Sequence, residues 1–318
     1  MLSESGDCEI SVVTPVYNEI ENIPTLFERI NKALSDFGRK FEIIIVNDGS
    51  NDGSEKVLTD MCRKHKHLKV VNLFRNKGKG AALELGFSFA AGKYIVNIDG
   101  DLQCHPEDIS KLILELEKGF DVVSGQRVDR LDTKSVIITS KAFNILVRRL
   151  TSLHLKDYFS GLKCYRRQVV KFLDLYGDLY RFALVYAHKE GFRVTEIPIS
   201  HSPRFRGSSK YRSLSRLQIA LADILTLLFT VTFNQERVYH IGLVGLFLLS
   251  IGVSLYALPF FIPLISQAGF MRCIEVFQTI FLFLGAQVMI FKSLSNSFFH
   301  RHQEERIIRK RNIKNIEN

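Results

Sequence analysis

Residues 94–106 read "YIVNIDGDLQCHP". An apolar run, Tyr94-Ile95-Val96, leads into two carboxylates, Asp99 and Asp101, separated only by Gly100. A short run that is apolar on both faces reads as a buried strand. In an extended segment, side chains two apart point to the same side. Two like charges held that way repel unless a cation lies close by. Oxygen-only donors suit Mg²⁺ or Mn²⁺, and Gln103 supplies a further neutral oxygen just downstream.

Working outward, strands and helices alternate. "EISVVTPVYNE" reads as a strand entering a loop, and "IPTLFERINKALSDF" has helical spacing through Leu26, Ile30, Ala33, Leu34 and Phe37. "FEIIIVNDGS" is a second buried strand, and a helix is expected from Ser54 to His65. "LKVVNLF" is a third strand, and "AALELGFSFAAG" a helix expected to close at Gly92. After the strand "KYIVNIDGD", "PEDISKLILELEKG" starts with Pro106 and acids and should stop at Gly119. "DVVSG" is another strand. This alternation predicts an α/β fold with a doubly wound, mostly parallel sheet. Ligands in such sheets sit at the carboxyl ends of the strands, where Asp48, Asp99 and Arg127 fall.

The chain has 318 residues with 43 Lys and Arg against 33 Asp and Glu, a formal charge of +10. That balance suggests anionic partners. The five cysteines form no CxxC pair, so neither a disulfide framework nor a zinc site is expected. The opening "MLSESGDCEI" lacks the apolar segment of a signal peptide.

Farther on the composition shifts. Residues 241–265, "IGLVGLFLLSIGVSLYALPFFIPLI", carry no charge, and a bilayer core needs about 20 apolar residues as helix. A second span is expected at about 274–297, with Glu275 and Lys292 near its ends. These form a transmembrane hairpin within 237–299. Residues 217–233 are nearly long enough to cross but contain Asp223. Both flanks of the apolar region, "RFRGSSKYRSLSR" and "HRHQEERIIRKRNIKN", are basic, and basic segments stay on the cytoplasmic side. An even number of spans follows, so 214–236 is expected to be an amphipathic juxtamembrane helix. Residues 136–152 are a second candidate for the interface or an amphipathic helix on the sheet. Residues 128–135 should be a mobile loop, and 300–318 a basic cytoplasmic tail.

The loop motifs come as an ordered set. "TPVYNE" follows the first strand, "VNDGSNDGS" the second, "RNKGKGAAL" the third, and then "DGDLQ". The set resembles the inverting family 2 glycosyltransferases, with their A-type (GT-A) nucleotide-sugar fold. "DYFSGLKCYRR" at 157–167 and "PRFRGSSKY" at 203–211 are similar to the polyprenyl-phosphate glycosyltransferases, the group of dolichyl-phosphate mannose synthase. That resemblance implies transfer of a sugar from a UDP- or GDP-sugar to an undecaprenyl or dolichyl phosphate. It implies that Pro15, Tyr17, Glu19 and Asp48 hold the nucleoside, and that Asp99, Asp101 and Gln103 hold the metal and diphosphate. Some relatives carry an acid directly after the motif glycine. Here Leu162 follows Gly161, and the nearby acid is Asp157.

The acceptor phosphate is anionic at neutral pH, since its second ionisation lies near ~6, so it needs positioning more than deprotonation. Arg127, Arg204 and Lys210 read as phosphate grips, with Asp101 and Asp157 beside the reacting atoms. Lys77 and Lys79 read more readily as solvated charges. The reaction edge is expected to face the bilayer of the plasma (inner) membrane, with the catalytic domain, 1–213, and both termini cytoplasmic.

Rivals fare worse. A dinucleotide-binding fold wants GxGxxG after the first strand, where "TPVYNE" stands. A processive polysaccharide synthase uses a QxxRW motif, and this chain has no Trp. An inactive membrane scaffold would not need an intact DGDLQ. The basic residues cluster beside the membrane segments, which disfavours nucleic acid. A homo-oligomer stays open.

Overall fold

The structure is a computed structural model and describes residues 8–128, 144–145, 147–149, 151, 153–173, 177–203, 235–261 and 273–294. The chain divides into two compact units, Met1–Leu227 and Leu228–Asn318.

The first unit is built on one seven-stranded sheet. Its strands are β1 (Ile10–Val16), β2 (Phe41–Asn47), β3 (Leu68–Asn72), β4 (Tyr94–Asn97), β5 (Val122–Arg127), β6 (Lys163–Arg166) and β7 (Val194–Ile199). They lie in the order β3-β2-β1-β4-β6-β5-β7. Of these described strands, only β6 runs antiparallel, against β4 and β5. The other pairings are parallel, as the mostly apolar, two-sided burial of β1 and β2 predicts. The order turns outward in both directions from β1 and β4. The carboxyl ends of these two strands flank the switch point where such sheets bind ligands.

Period-two alternation divides the side chains between the faces. Ile10, Val12, Ile43, Ile45, Tyr94 and Val96 enter one core cluster with helices α1 (Ile23–Phe37) and α4 (Ile109–Glu117). Helix α1 buries Ile23, Leu26, Phe27, Ile30 and Leu34, while Ala33 and Phe37 from the expected stripe are only partly covered. Helix α2 spans Ser54–Lys64. Helix α3 (Lys79–Phe89) packs on the opposite face, against β1 and β2.

That helix does not close at Gly92. It ends at Phe89, and the Ala90 amide bonds back to the Phe87 carbonyl. Gly92 instead enters β4 so close to β1 that a Cβ would stand 2.6 Å from the Ser11 nitrogen. Its own amide donates to Ser11 Oγ at 2.8 Å. Strands β6 and β7 carry motif residues and Pro198, and their short polar-edged sequences hide the strand signal.

Of the 136–152 segment, Asn144, Ile145, Val147–Arg149 and Thr151 are described, all helical. Val147 and Asn144 are buried, and Asn144 Nδ2 donates to the Lys156 carbonyl at 2.6 Å. That part is tied to the chain at 153–158. Most of the 128–135 loop, the 217–233 stretch and the basic tail lie outside the described residues.

In the second unit, α5 (Gln235–Phe261) and α6 (Cys273–Leu294) form an antiparallel pair. A Cβ at Gly245 would meet Val288, one at Gly252 would meet Leu282, and one at Gly285 would meet Leu249. Both helices are long and apolar enough to cross a membrane. Their outward faces expose Leu243, Val244, Phe247, Phe277, Phe283 and Ile290.

The sheet edge away from the strand carboxyl ends carries a buried acid. Glu42 accepts from Ser11 Oγ at 2.5 Å and the Ala91 amide at 2.7 Å, and pairs with Lys69 at 2.6 Å. Burial alone would raise its pKa, but Lys69, Ser11 and the Ala91 amide hold it below its ordinary value. A carboxylate depressed by folding stabilises the fold above its unfolded pKa of about 4.3. That contribution disappears as pH falls through the folded value. Glu42→Gln should cost roughly 1–3 kcal/mol at neutral pH and flatten the acid limb of stability. Denaturation of both proteins across pH 3–7, roughly spanning the carboxylate range, checks this; identical acid limbs would contradict it.

Candidate active site at the carboxyl ends of the strands

The loops leaving β1 and β2 are laced together. The Asn18 amide donates to Ser50 Oγ at 2.9 Å, the Asn51 amide to Asn18 Oδ1 at 2.9 Å, and the Ile20 amide to Asp52 Oδ2 at 3.0 Å. Asn18 takes a left-handed conformation (φ 53°) that asparagine tolerates well. Pro15 and Tyr17 are partly buried around the end of β1. Glu19 accepts from Asn22 Nδ2 at 2.6 Å where α1 begins. Buried Asp48 receives the amides of Lys77 and Gly78 at 2.8 and 3.0 Å. Its carboxylate thus braces the third loop, a task its spacing in the sequence does not announce.

The DGDLQ segment differs from a simple extension of β4. Gly100 and Asp101 form a turn, and Leu102 has φ 59°. Asp101 Oδ1 accepts from the Gln103 amide at 3.2 Å. Asp99 receives the Lys79 ammonium at 2.6 Å. Lys79 is therefore part of the site and not a solvated charge. Burial pushes its pKa down, but the charge of Asp99 leads the opposing effects, with Tyr180 and Asp101, and carries it up to about 12.

The 157–167 motif meets this carboxylate directly. A Cβ at Gly161 would stand 2.6 Å from Asp99 Oδ2, so only glycine fits there. Asn97 Nδ2 donates to the Gly161 carbonyl at 3.1 Å, which fixes the approach. Arg127 and Asp157 also come together. Arg127 Nε and Nη2 donate to the two oxygens of Asp157 at 2.7 and 2.9 Å, a bidentate pair that is largely buried. Glu196 accepts the amides of Lys156 and Asp157 at 2.7 and 3.0 Å, anchoring that turn.

A cavity of about 210 Å³ opens on the α3 side of the sheet, lined by Lys79, Leu83 and Phe87 of that helix. Lys79, Asn97, Ser160, Lys163 and Arg181 contribute its polar lining. Lys163 is buried and donates to the Ser160 carbonyl at 2.6 Å. Burial, with Lys79 second, pushes its pKa down to about 8.

A strap joins the stretch that follows β7 to DGDLQ. Cys104 and His201 form an antiparallel bridge, and the Ser202 amide donates to the Gln103 carbonyl at 2.9 Å. His105 Nε2 and Ser202 Oγ are hydrogen-bonded at 2.6 Å, and the Ser200 amide donates to Asp108 Oδ2 at 3.0 Å. Arg204 follows two residues later; it and Lys210 lie outside the described residues.

A family model described as glycosyl transferase family 2 matches residues 11–174. The chain belongs to that family. Curated relatives include undecaprenyl-phosphate 4-deoxy-4-formamido-L-arabinose transferases. The Klebsiella pneumoniae subsp. pneumoniae protein is 34% identical over 88% of this chain and 84% of its own. The Pectobacterium atrosepticum protein is 35% identical over 87% and 84%. Among solved structures, glucosyl-3-phosphoglycerate synthase from Mycobacterium tuberculosis with Mn²⁺, uridine diphosphate and phosphoglyceric acid aligns with a TM-score of 0.56 at 20% identity. That match covers 71% of this chain and 78% of the other. It shows the shared GT-A fold.

Asp99 and Asp101 fit a hard divalent ion, which takes one or two carboxylates and completes its shell with water and substrate phosphate. Asp99 already draws a cation to itself in the Lys79 ammonium.

Asp157→Asn should leave the Arg127 guanidinium buried without its counter-charge, at a cost of about 3–5 kcal/mol. The double variant Arg127→Met/Asp157→Leu should lose less than the single one. Denaturant unfolding of the three proteins checks this; a single-variant cost under ~1 kcal/mol, the level of an exposed pair, would contradict it.

Proposed function

We propose that this chain transfers a sugar from a UDP- or GDP-sugar to a polyprenyl phosphate, with inversion, as an integral membrane protein dependent on Mg²⁺ or Mn²⁺. The observation that carries the reading is collinearity. One chain joins the laced acidic edge of a GT-A sheet to two membrane-length helices. It matches undecaprenyl-phosphate sugar transferases over 84% of their length.

The acceptor's phosphate oxygen attacks the anomeric carbon while the bond from that carbon to the diphosphate breaks. The nucleoside diphosphate leaves with the bonding electrons. Pro15, Tyr17, Glu19 and Asp48 shape the nucleoside end, Asp48 through the Lys77–Gly78 backbone it holds. Asp99, Asp101 and Gln103 would hold the metal, which when bound offsets charge on the departing diphosphate. Lys79, paired with Asp99, adds positive charge at the same place.

Asp157 acts through Arg127. A carboxylate clasped by a guanidinium through two bonds is arranged to aim that cation at phosphate, and an anionic nucleophile needs no base. Arg204 and Lys210 complete the cationic lining; the strap at Ser202 delivers the chain to Gln103 just before Arg204.

Both termini face the cytoplasm in this reading, since the basic flanks at 204–216 and 301–314 lie on either side of two spans. Single cysteines placed at Ser3 and Asn315 should label from the same side; labelling from opposite sides would require an odd number of spans.

The enzymatic test is incubation of the purified protein with nucleotide sugars, polyprenyl phosphate and Mg²⁺ or Mn²⁺, with identification of the lipid product. Asp101→Asn should nearly abolish transfer in a folded protein. Arg204→Ala should slow transfer more than it weakens donor binding, by roughly 2–4 kcal/mol in the barrier. Full activity in EDTA would overturn the metal requirement, and an unchanged rate in Arg204→Ala would make that residue a surface charge.

A further inference from the structure

The strap between β7 and DGDLQ is closed by a side chain, that of His105, which stands two residues past Gln103. β7 is an edge strand, separated from β4 by β5 and β6. After it, the chain docks on the segment that follows Asp101. The Ser200 amide donates to Asp108 Oδ2 at 3.0 Å, and His201 bridges Cys104. Ser202 is held twice. Its amide donates to the Gln103 carbonyl at 2.9 Å, and its hydroxyl shares a hydrogen bond of 2.6 Å with His105 Nε2.

A residue held by one backbone bond can turn about that bond. A second bond, made to a residue two positions farther on, removes the turn. Ser202 therefore follows any movement of the backbone from Gln103 to His105. Asp101 is tied into the same piece, since its Oδ1 accepts the Gln103 amide at 3.2 Å. On the other side, Pro203 has its φ fixed by its ring, and Arg204 comes next. A short, stiff connection thus runs from a carboxylate assigned to the metal to the chain just before an acceptor grip. The backbone bonds attach the strap, and the His105–Ser202 bond orients it.

We propose that His105 is a positioning residue that couples the two substrates: through Ser202 it sets the acceptor grip according to the state of the DGDLQ segment, so that metal and nucleotide raise the affinity for the lipid phosphate. The inference rests on the glycosyl-transfer reading above and adds how the two halves of that site communicate. The sign is informative. A nucleoside diphosphate with its metal keeps a net negative charge, so by charge alone it repels a phosphate in the adjoining place. Positive coupling needs a mechanical tie that works in the opposite sense.

The test titrates the full-length protein in detergent with polyprenyl phosphate, first alone and then with Mn²⁺ and UDP or GDP. The coupling is the ratio of the two dissociation constants. For wild type it should be at least about five-fold in favour of the nucleotide-bound protein. In His105→Phe and in Ser202→Ala it should fall roughly three-fold or more, the effect of one lost hydrogen bond. The double variant should lose no more than either single one, because both remove the same bond. His105→Gln, which can still bond to Ser202, should keep most of the coupling. Reciprocity gives an independent check: polyprenyl phosphate must raise nucleotide affinity by the same factor in each protein. A wild-type ratio of one or less overturns the inference and leaves the transfer reading standing. So does an unchanged ratio in the folded variants, including the case where acceptor binding weakens equally with and without nucleotide. Absence of binding of either nucleotide and of polyprenyl phosphate overturns both. If His105→Phe does not fold, Ser202→Ala decides, since it leaves the backbone bond to Gln103 in place.

Discussion

The contact between Gly161 and Asp99 is the constraint on which the site depends. Asp99 ends the segment that leaves β4, and Gly161 leads into β6, the antiparallel strand beside it. A side chain at 161 would occupy the space of the carboxylate. With glycine there, the backbone closes one side of Asp99 while Lys79 holds another. Three separate stretches of sequence meet at one carboxylate. The repulsion implied by two acids two residues apart is answered by a fixed ammonium and by a turn that carries Asp101 out of the strand.

That arrangement explains which parts of the molecule could be read from sequence. The first five strands, α1, α2 and α4 follow from apolar runs, helical spacing and terminating residues, which are local signals. The sheet edge carrying the site follows from the parallel order. Strands β6 and β7 escape such reading because their pairing is non-local. Residues such as Lys163 and Arg166 give β6 no apolar run to betray it. The helix end at Ala90 is obscured by Gly92, which looks like a cap and is instead required where β4 enters against Ser11.

The same distinction runs through the site. Asp99, Asp101 and Gln103 announce themselves by their motif. Lys79 does not, since a lysine in a glycine-rich loop resembles any solvated charge. Its weight comes from α3 lying on the sheet face that places its first residue beside Asp99. Lys163 is hidden in the same way. Alternation along β6 turns Cys164 into the core and Lys163 to the cavity, and that can be seen only once β6 is known to pair with β4. The Arg127–Asp157 pair joins two residues 30 apart, each conspicuous alone, whose partnership gives the acid a holding task.

The second unit rests on different physics. Its outward faces are apolar and exposed, so water is the wrong solvent for them. In lipid no hydrophobic force draws the two helices together, and close backbone approach must do so. Gly245 and Gly285 supply it, because a Cβ on Gly285 would lie 3.0 Å from the Gly245 carbonyl oxygen. The antiparallel register places Gly242 against Lys292, and the Lys292 ammonium lies 5.9 Å from the ring centre of Tyr239. An aromatic residue and a cation thus share one end of the hairpin, the usual furnishing of a membrane interface. Gln235 and Leu294, where the described helices begin and end, lie at that same end. The pair therefore returns the chain, at Leu294, to the end of the hairpin at which Gln235 began it.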